Sequence, residues 1–333
     1  MATHPVGLPP GLPNQRWHMH TATASQIAQV AACSQFPPSL AQVLINRGID
    51  TPAAVQAFLD PESLVLNNPL EEFADLAASL EILETAIRQD AKIAICGDYD
   101  ADGMTSTALL LRALRALGAK VDYAIPSRMH EGYGINERIV EDFAAEGVRV
   151  VLTVDNGIAA YQPIARAREL GLAVIVTDHH DLPPQLPPAN AILNPKLLPE
   201  TSLYRGLAGV GVAYILAVSL AQQMGQSSAL TTPLLDLFTL GTIADLAPLV
   251  GVNRRWLQRG LKRLPNSPFV GIKALIEVSG SAPTHAKQAF KPETIGFRLG
   301  PRINAVGRIG NPQTVIELLT ADDPAIAQGL ALE

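Results

Sequence analysis

The chain contains 333 residues, 48% of them hydrophobic, and carries a formal net charge of −6. Its uninterrupted apolar runs are shorter than the roughly 18 residues that a membrane-spanning helix needs, which excludes a membrane protein. The two cysteines, Cys33 and Cys96, exclude a disulfide framework, and the first residues lack a signal-peptide pattern, so we expect a cytoplasmic location. The net negative charge does not exclude a nucleic-acid partner, because a nuclease needs only a local basic groove.

The first 90 residues contain two predicted parts. Residues 1–20 are rich in proline and glycine and are expected to form a flexible tail. Residues 21–90 are predicted to form a helical N-terminal extension. Within it, Thr51 and Pro52 are typical of an N-cap followed by proline at the first helical position.

Strands and helices alternate from Lys92 onward, which predicts an α/β fold with a mostly parallel, twisted sheet flanked by helices. A helix is expected from Met104 to Leu117, directly after the first strand. We assign residues 91–250 to this domain and residues 251–333 to a helical segment that follows it. The predicted strands cover residues 92–96, 120–125, 148–154, 172–177 and 191–193.

Three carboxylates follow the first strand at every second position, namely Asp98, Asp100 and Asp102. Side chains two residues apart in an extended segment point the same way, so these carboxylates are expected to converge. Open α/β sheets bind their ligands at the carboxyl ends of the strands. Clustered carboxylates repel one another unless a cation neutralises them, so the triplet predicts a divalent-metal site.

Acidic residues and histidines also follow the next strands. Asp155 ends the third strand, and Asp178, His179 and His180 end the fourth, while Asp245 lies in an apolar, predicted helical segment where burial is costly. A set of carboxylates and imidazole suits manganese better than calcium, and it is large enough for two ions roughly 3.5–4 Å apart. An ordinary helix N-cap explains Asp155 equally well on its own. The repetition over three strand ends favours the metal site.

Basic and glycine-rich segments give weaker predictions. The stretch 254–263 carries cationic side chains that could contact phosphates, but a solvated helix face is the favoured interpretation. The segment 208–213 is similar to a glycine-rich nucleotide loop. Because no strand precedes it, close helix packing is the better interpretation.

Several segments together resemble the motifs of the DHH phosphoesterase superfamily: 98–103, 154–157, 178–180 and 241–245. Residues 126–134 and 300–308 are similar to segments of its RecJ branch, the 5′-to-3′ single-strand-specific DNA exonucleases. The resemblance implies phosphodiester hydrolysis of single-stranded DNA from the 5′ end, in DNA repair and recombination. It implies two Mn²⁺ ions with Mg²⁺ as a substitute, and a single-strand-binding protein or a helicase as protein partners.

The resemblance also implies a role for individual residues. Asp100 would bind one ion, Asp102 the other, and Asp155 would bridge them. Asp178 and His180 would be catalytic, with His180 facing the phosphate. The implied metal ligands are Asp98, Asp100, Asp102, Asp155, His179 and Asp245. The implied substrate contacts are Arg128, Tyr133, Arg302 and Arg308, and an ordinary ion pair or loop packing is the alternative for each of them.

One departure from the family affects the function. RecJ-like proteins continue into a second domain with a Gly-Gly-His segment and then an OB-fold, and this sequence contains neither, so residues 251–333 are expected to lead to a domain that is absent here. Two alternatives therefore stay open. One is hydrolysis of short oligonucleotides or cyclic dinucleotides, and the other is a non-catalytic DNA-binding scaffold.

Overall fold

The computed structural model describes residues 20–126, 132–282 and 289–333. The chain divides into two compact units, Met1–Leu64 and Val65–Glu333. Residues 1–19 of the predicted tail lie outside the described residues, and the domain boundaries drawn from the sequence stay predictions. Among the described residues, no helix has the length and apolar character that crossing a lipid bilayer requires.

The first unit consists of three helices, α1 (Ala24–Ser34), α2 (Pro38–Asn46) and α3 (Pro52–Leu59), followed by a 3₁₀ turn at Pro61–Ser63. Helix α3 begins as the sequence predicted, because the Thr51 side chain accepts a hydrogen bond from the Ala54 N–H at 3.1 Å and Pro52 follows the cap. A small apolar core holds the helices together, formed by Val30, Ala41, Leu44, Ile49 and Val55.

A five-stranded parallel sheet forms the centre of the second unit, which confirms the predicted fold class. The strands pair in the order β2-β1-β3-β4-β5, and every pairing is parallel. All five lie within one residue of the predicted limits: β1 (Lys92–Cys96), β2 (Lys120–Ala124), β3 (Val148–Val154), β4 (Ala173–Thr177) and β5 (Ala191–Leu193). Strands β1, β3 and β4 are mostly apolar and buried because helices cover both faces of the sheet there, whereas the edge strand β2 is only partly buried.

Helices account for most of the remaining second unit. Those before and between the strands are α4 (Pro69–Glu72), α5 (Leu76–Arg88), α6 (Ala101–Ala116), α7 (Glu137–Ala145) and α8 (Tyr161–Glu169). Those after the sheet are α9 (Gly209–Gln223), α10 (Ser227–Ala244), α11 (Gly251–Arg263), α12 (Val270–Val278), α13 (Pro292–Thr294), α14 (Gly300–Ile309), α15 (Pro312–Thr320) and α16 (Pro324–Leu332). Short 3₁₀ turns lie at Pro195–Leu197 and Leu264–Asn266, and a π-helical stretch at Ile295–Leu299 joins α13 to α14.

The two faces of the sheet carry different cores. Ile93 and Ile95 of β1 belong to the larger core, which also includes residues of α5, α6, α9 and α10. Ala94 and Cys96 point to the opposite face, where they pack with residues of α7 and α8 such as Phe143. This alternation is the two-residue period of a strand. It places alternate side chains of each strand in different cores.

Candidate metal centre

The loop between β1 and α6 supplies the first part of the site. Helix α6 begins at Ala101, three residues earlier than predicted, so Asp100 is its N-cap and Asp102 lies in its first turn. The Asp100 Oδ1 atom accepts a hydrogen bond from the Gly103 N–H at 2.9 Å. The expectation that all three carboxylates lie on one extended segment was therefore wrong, because the capped helix turns the chain after Asp100.

The turn separates the triplet into two groups of potential ligands. Asp98 and Asp100 lie with Asp155, whereas Asp102 lies with His179 and Asp245. A third group joins Asp155 to His179 and His180. In each group, one ligand atom per residue lies within 4.8 Å of the others. The structure thus brings together all six predicted metal ligands, and Asp155 and His179 each belong to two groups.

Asp155 lies between these groups in a strained backbone conformation. Its φ of +59° is in the left-handed region, which Asp and Asn tolerate better than most other residues. The conformation is fixed on both sides, since the Asp155 N–H donates to the Thr177 carbonyl at 2.9 Å and the Tyr133 hydroxyl donates to the Asp155 carbonyl at 2.6 Å. Asn156, which is fully buried, donates to the carbonyls of Cys96 and Val154 at 3.1 and 2.8 Å.

Two carboxylate oxygens of the site are buried without a hydrogen-bond partner, Asp98 Oδ1 and Asp155 Oδ1. A buried anionic oxygen without a partner is costly unless a cation accompanies it. The His179 Nε2 atom lies 3.0 Å from Asp155 Oδ1, a spacing suited to two ligands of one ion. These residues therefore fit a divalent cation, by oxygen and nitrogen donors alone.

The carboxyl groups also repel one another. Burial, followed by the charge of Asp100, raises the pKa of Asp98 to about 7, and the same two causes raise the pKa of Asp245 to about 6. Burial and the neighbouring carboxylates raise the pKa of both Asp102 and Asp155 well above the usual range. Excess negative charge of this kind is what a bound cation would neutralise.

His179 has the charge state that a metal ligand needs. Burial and repulsion by His180 lower the pKa of His179 to about 4, so its ring is neutral at physiological pH. A neutral imidazole nitrogen is a ligand for transition metals, whereas an imidazolium is not.

His180 and Asp178 form a separate pair beside the carboxylate groups. The His180 Nδ1 atom lies 2.7 Å from Asp178 Oδ1, and this hydrogen bond is the main cause that raises the pKa of His180. Although burial acts to raise the pKa of Asp178, its hydrogen bonds from the His180 ring and from the N–H groups of Ile158 and His180 lower it. Asp178 therefore stays ionised and orients the His180 ring.

The predicted substrate contacts differ in where they lie. Tyr133 contacts the site, because its ring packs edge-on against the His180 ring at 5.7 Å between centroids and is half exposed. Arg302 and Arg308 are exposed on α14, and Arg302 Nη1 donates to the Arg298 carbonyl at 2.6 Å. Arg128 lies outside the described residues. Contact of all four with a nucleic acid stays a prediction.

Three contributors to the site were not predicted from the sequence. The N–H groups of Gly209 and Val210, at the start of α9, donate to the Asp102 carboxylate at 2.6 and 2.8 Å. The Asn304 side chain accepts the Ala101 N–H at 2.7 Å and so holds the start of α6. All three lie far from the acidic loop in the sequence, and neither spacing nor composition indicates that they approach it.

Only part of the basic stretch 254–263 lies on the exposed side of α11. Arg263 Nε lies 2.6 Å from Asp236 Oδ1, and this carboxylate is fully buried. A buried carboxylate requires such a partner, so Arg263 has a structural role. Trp256, in the same helix, packs edge-on against the rings of Tyr204, Tyr214 and Phe238.

Comparison with known proteins agrees with this geometry. Residues 92–242 match the DHH family, N-terminal domain. The chain is 40% identical over 318 residues to the single-stranded-DNA-specific exonuclease RecJ of Bacillus subtilis (strain 168), covering 96% of this chain and 39% of that protein. It is 37% identical over 311 residues to the protein of the same name from Escherichia coli (strain K12), covering 90% of this chain and 52% of that one.

Solved structures show the same likeness. The crystal structure of RecJ from Thermus thermophilus in complex with Mn²⁺ superposes with a TM-score of 0.77 at 35% identity, over 93% of this chain and 43% of that chain. A crystal structure of exonuclease RecJ bound to manganese gives a TM-score of 0.71 at 39% identity, over 80% of this chain and 65% of that one. The chain thus spans about half the length of the proteins it matches.

The parallel sheet whose strand ends carry this set of carboxylates and histidines lies within residues 92–242, so the class that sheet and site define is that of a DHH-family N-terminal domain. Among the proteins compared, the chain is similar to RecJ in both sequence and structure, with 36–42% identity to RecJ sequences and superposition on RecJ structures.

Proposed function

We propose that this protein is a divalent-metal-dependent phosphodiesterase that hydrolyses single-stranded DNA from the 5′ end. The observation that carries the proposal is a set of three ligand groups, two of which contain Asp155 and two of which contain His179. Two buried carboxylate oxygens in this set have no hydrogen-bond partner. The RecJ relatives, described as single-stranded-DNA-specific exonucleases, support the choice of substrate.

The proposed ligands would form two metal sites. Asp98 and Asp100 would hold one Mn²⁺ ion, Asp102, His179 and Asp245 would hold the other, and Asp155 would bridge them. The groups of atoms support this arrangement, since Asp155 lies with Asp98 and Asp100 and its Oδ1 atom is 3.0 Å from the His179 Nε2 atom of the other group. Mg²⁺ would serve as a substitute. Bound there, the ions would lower the pKa of a water molecule and neutralise charge on the non-bridging phosphate oxygens.

The protein side chains would carry the proton and position the substrate. His180, held by Asp178 through Nδ1, presents its other ring nitrogen as a proton donor, and its raised pKa keeps that proton available near neutral pH. The half-exposed ring of Tyr133 beside it offers a surface on which a base can stack. Arg128, Arg302 and Arg308 would bind phosphates of the strand, since guanidinium groups contact phosphate through two parallel hydrogen bonds.

The wider setting of the proposal is DNA repair and recombination in the cytoplasm, with a single-strand-binding protein or a helicase delivering the strand. Support for a reducing compartment comes from Cys33 and Cys96, which are both free cysteines. Support for the biological setting comes from the RecJ relatives, whose described substrate is single-stranded DNA.

The decisive experiment is digestion of end-labelled single-stranded and double-stranded oligonucleotides by this chain in the presence of Mn²⁺. We expect mononucleotides to be released from the 5′ end of the single strand and the duplex to be spared. Asp155→Asn, which removes the bridging carboxylate, serves as the inactive control, and a parallel assay with dinucleotides and cyclic dinucleotides tests the smaller substrates. Faster turnover of dinucleotides than of the long strand would replace the proposed substrate. Strand binding without any release of nucleotides would make the protein a DNA-binding scaffold.

A further inference from the structure

The N-terminus of α9 contacts the candidate metal centre, although it contributes no side chain to it. Asp102, which is 1% exposed, accepts the Gly209 N–H on Oδ2 at 2.6 Å and the Val210 N–H on Oδ1 at 2.8 Å. The first turn of a helix combines free N–H groups with the positive end of the helix dipole. Both oxygens of this buried carboxylate are therefore fixed in place, and its charge is stabilised.

Gly209 also lies against the second carboxylate of the centre. A Cβ atom at this position would lie 2.8 Å from Asp155 Cβ, 2.9 Å from Asp102 Oδ2 and 3.0 Å from Asp155 Oδ1. Real side chains do not approach one another this closely, so any residue larger than glycine would push Asp102 and Asp155 apart or displace α9. Asp155 Oδ1 is the buried oxygen that has no hydrogen-bond partner.

We propose that Gly209 is a positioning residue of the metal centre. Its N–H group, together with that of Val210, fixes the Asp102 carboxylate, and its lack of a side chain allows Asp102 and Asp155 to reach ions that they share. The glycine at the start of α9 is thus required by the site and not by helix packing alone. This inference rests on the proposed function, because it assumes that the cluster binds divalent ions.

The test compares Gly209→Ala with Gly211→Ala in a Mn²⁺ titration followed by electron paramagnetic resonance. Gly211 is a matched control, since a Cβ there would crowd the Leu207 side chain at 2.6 Å, in the apolar core. We expect Gly209→Ala to weaken Mn²⁺ binding at least about ten-fold, as the loss of residues that orient metal ligands commonly does. Gly211→Ala should lower the unfolding temperature while leaving Mn²⁺ affinity within about two-fold of the original protein.

The outcomes separate the two proposals. If the unaltered chain binds no Mn²⁺, the proposed function fails, and this inference fails with it. If the unaltered chain binds Mn²⁺ and Gly209→Ala binds it equally well, only the role of Gly209 is refuted. A Gly211→Ala variant that loses as much affinity as Gly209→Ala would also refute it, because general strain in α9 would then explain both results.

A second measurement decides the matter if Gly209→Ala does not fold, as judged by circular dichroism. In the unaltered chain, Mg²⁺ is titrated while the amide resonances of Gly209 and Val210 are followed by nuclear magnetic resonance. These amides donate to Asp102, so withdrawal of charge by a bound ion should shift both resonances at the concentration that saturates the site. Unchanged resonances at saturation would overturn the proposal, because the α9 amides would then not be coupled to the metal ligand.

Discussion

Asp155 combines a left-handed backbone, nearly complete burial and a carboxylate oxygen without a hydrogen-bond partner. Each feature costs free energy in a folded protein, and residues of this kind concentrate where function requires them. The surrounding structure maintains the conformation through the Tyr133 hydroxyl and the Thr177 carbonyl. A bound cation would remove the electrostatic part of the cost.

Replacing Asp155 with Asn is the sharpest test at this scale. Asn also adopts the left-handed conformation, so the fold should persist, and loss of a repelled charge should leave the metal-free protein at least as stable. We expect hydrolysis to fall by at least ~100-fold, which corresponds to roughly 3 kcal/mol of lost transition-state stabilisation. Turnover is measured on a labelled single strand, with Asp142→Asn, an exposed carboxylate paired with Arg138, as the control. Undiminished turnover would show that Asp155 is not a metal bridge.

The raised carboxyl pKa values predict how stability depends on pH. A carboxyl group with a raised pKa in the folded state binds more protons there than in the unfolded chain, so its contribution to stability is lost as pH rises through that pKa. Asp98, whose pKa rises to about 7, acts in this direction from about pH 4, the unperturbed pKa of aspartate, up to about pH 7, and the raised pKa values of Asp102 and Asp155 act in the same direction. The lowered pKa of His179 acts oppositely, but only below about 6.5, the pKa of an unperturbed histidine.

We therefore expect the metal-free chain to lose about 1 kcal/mol of unfolding free energy between pH 6.5 and 8, mainly through Asp98. Mn²⁺ affinity should rise over the same interval, because protons and metal ions compete for the same oxygens. Urea unfolding at each pH in the presence of a chelator measures the first effect, and Asp98→Asn should make the dependence shallower. A stability that increases across this interval would contradict the assigned pKa directions.

Helix α14 packs against the loop that carries the first carboxylates of the site. Asn304 accepts the Ala101 N–H at 2.7 Å, and a side chain at Gly307 would overlap the Tyr99 carbonyl. The helix is therefore in close contact with the segment between Asp98 and Asp102. It ties residues near position 300 to the loop that follows β1.

Replacing Asn304 with Ala should leave the Ala101 N–H without its acceptor. We expect a loss of about 1–2 kcal/mol in unfolding free energy, the usual cost of removing a helix cap, together with weaker Mn²⁺ binding. Urea denaturation and a Mn²⁺ titration measure the two effects. Asn311→Ala is the matched control, because it removes the cap of α15, where Asn311 accepts the Gln313 N–H at 3.1 Å. Equal loss of Mn²⁺ affinity in both variants would show that α14 does not position the loop.

At the scale of the whole second unit, the parallel sheet explains why the site forms at all. Strands β1, β3 and β4 are neighbours in the sheet and run in the same direction, so their carboxyl ends lie side by side. The acidic loop, Asp155 and the pair of histidines follow those three ends. Helices α9 and α10 then bring the start of α9 and Asp245 to the same place.

Divalent ions should stabilise the folded chain, because the complete ligand set exists only when the sheet is formed. A ligand that binds only the folded state adds about 2.7 kcal/mol at 100 times its dissociation constant. We expect Mn²⁺ to raise the unfolding temperature and a chelator to reverse the increase, as recorded by differential scanning calorimetry. The increase should be absent in Asp155→Asn. A chain whose unfolding temperature does not respond to Mn²⁺ would not contain the proposed site.

The sequence by itself predicted the strands and the α/β class, which the structure confirms, and it named the six proposed metal ligands, which the structure brings together. The strands of five to seven residues and the acidic residues that follow them are adjacent in the sequence, so the sequence pattern is enough to predict them. Its prediction for the Asp98–Asp102 segment was wrong in one respect, because the helix cap at Asp100 begins α6 earlier and divides the triplet.

Only the tertiary structure decided which side chains lie close enough to form one ligand group and what holds them in place. The left-handed turn at Asp155, the amides of α9 on Asp102 and the cap from Asn304 on α6 join residues that lie about 20 to 200 positions apart. Such contacts depend on how the helices pack on the sheet. No periodicity in the chain encodes them, because the free energy that fixes them comes from burial and charge in the folded molecule.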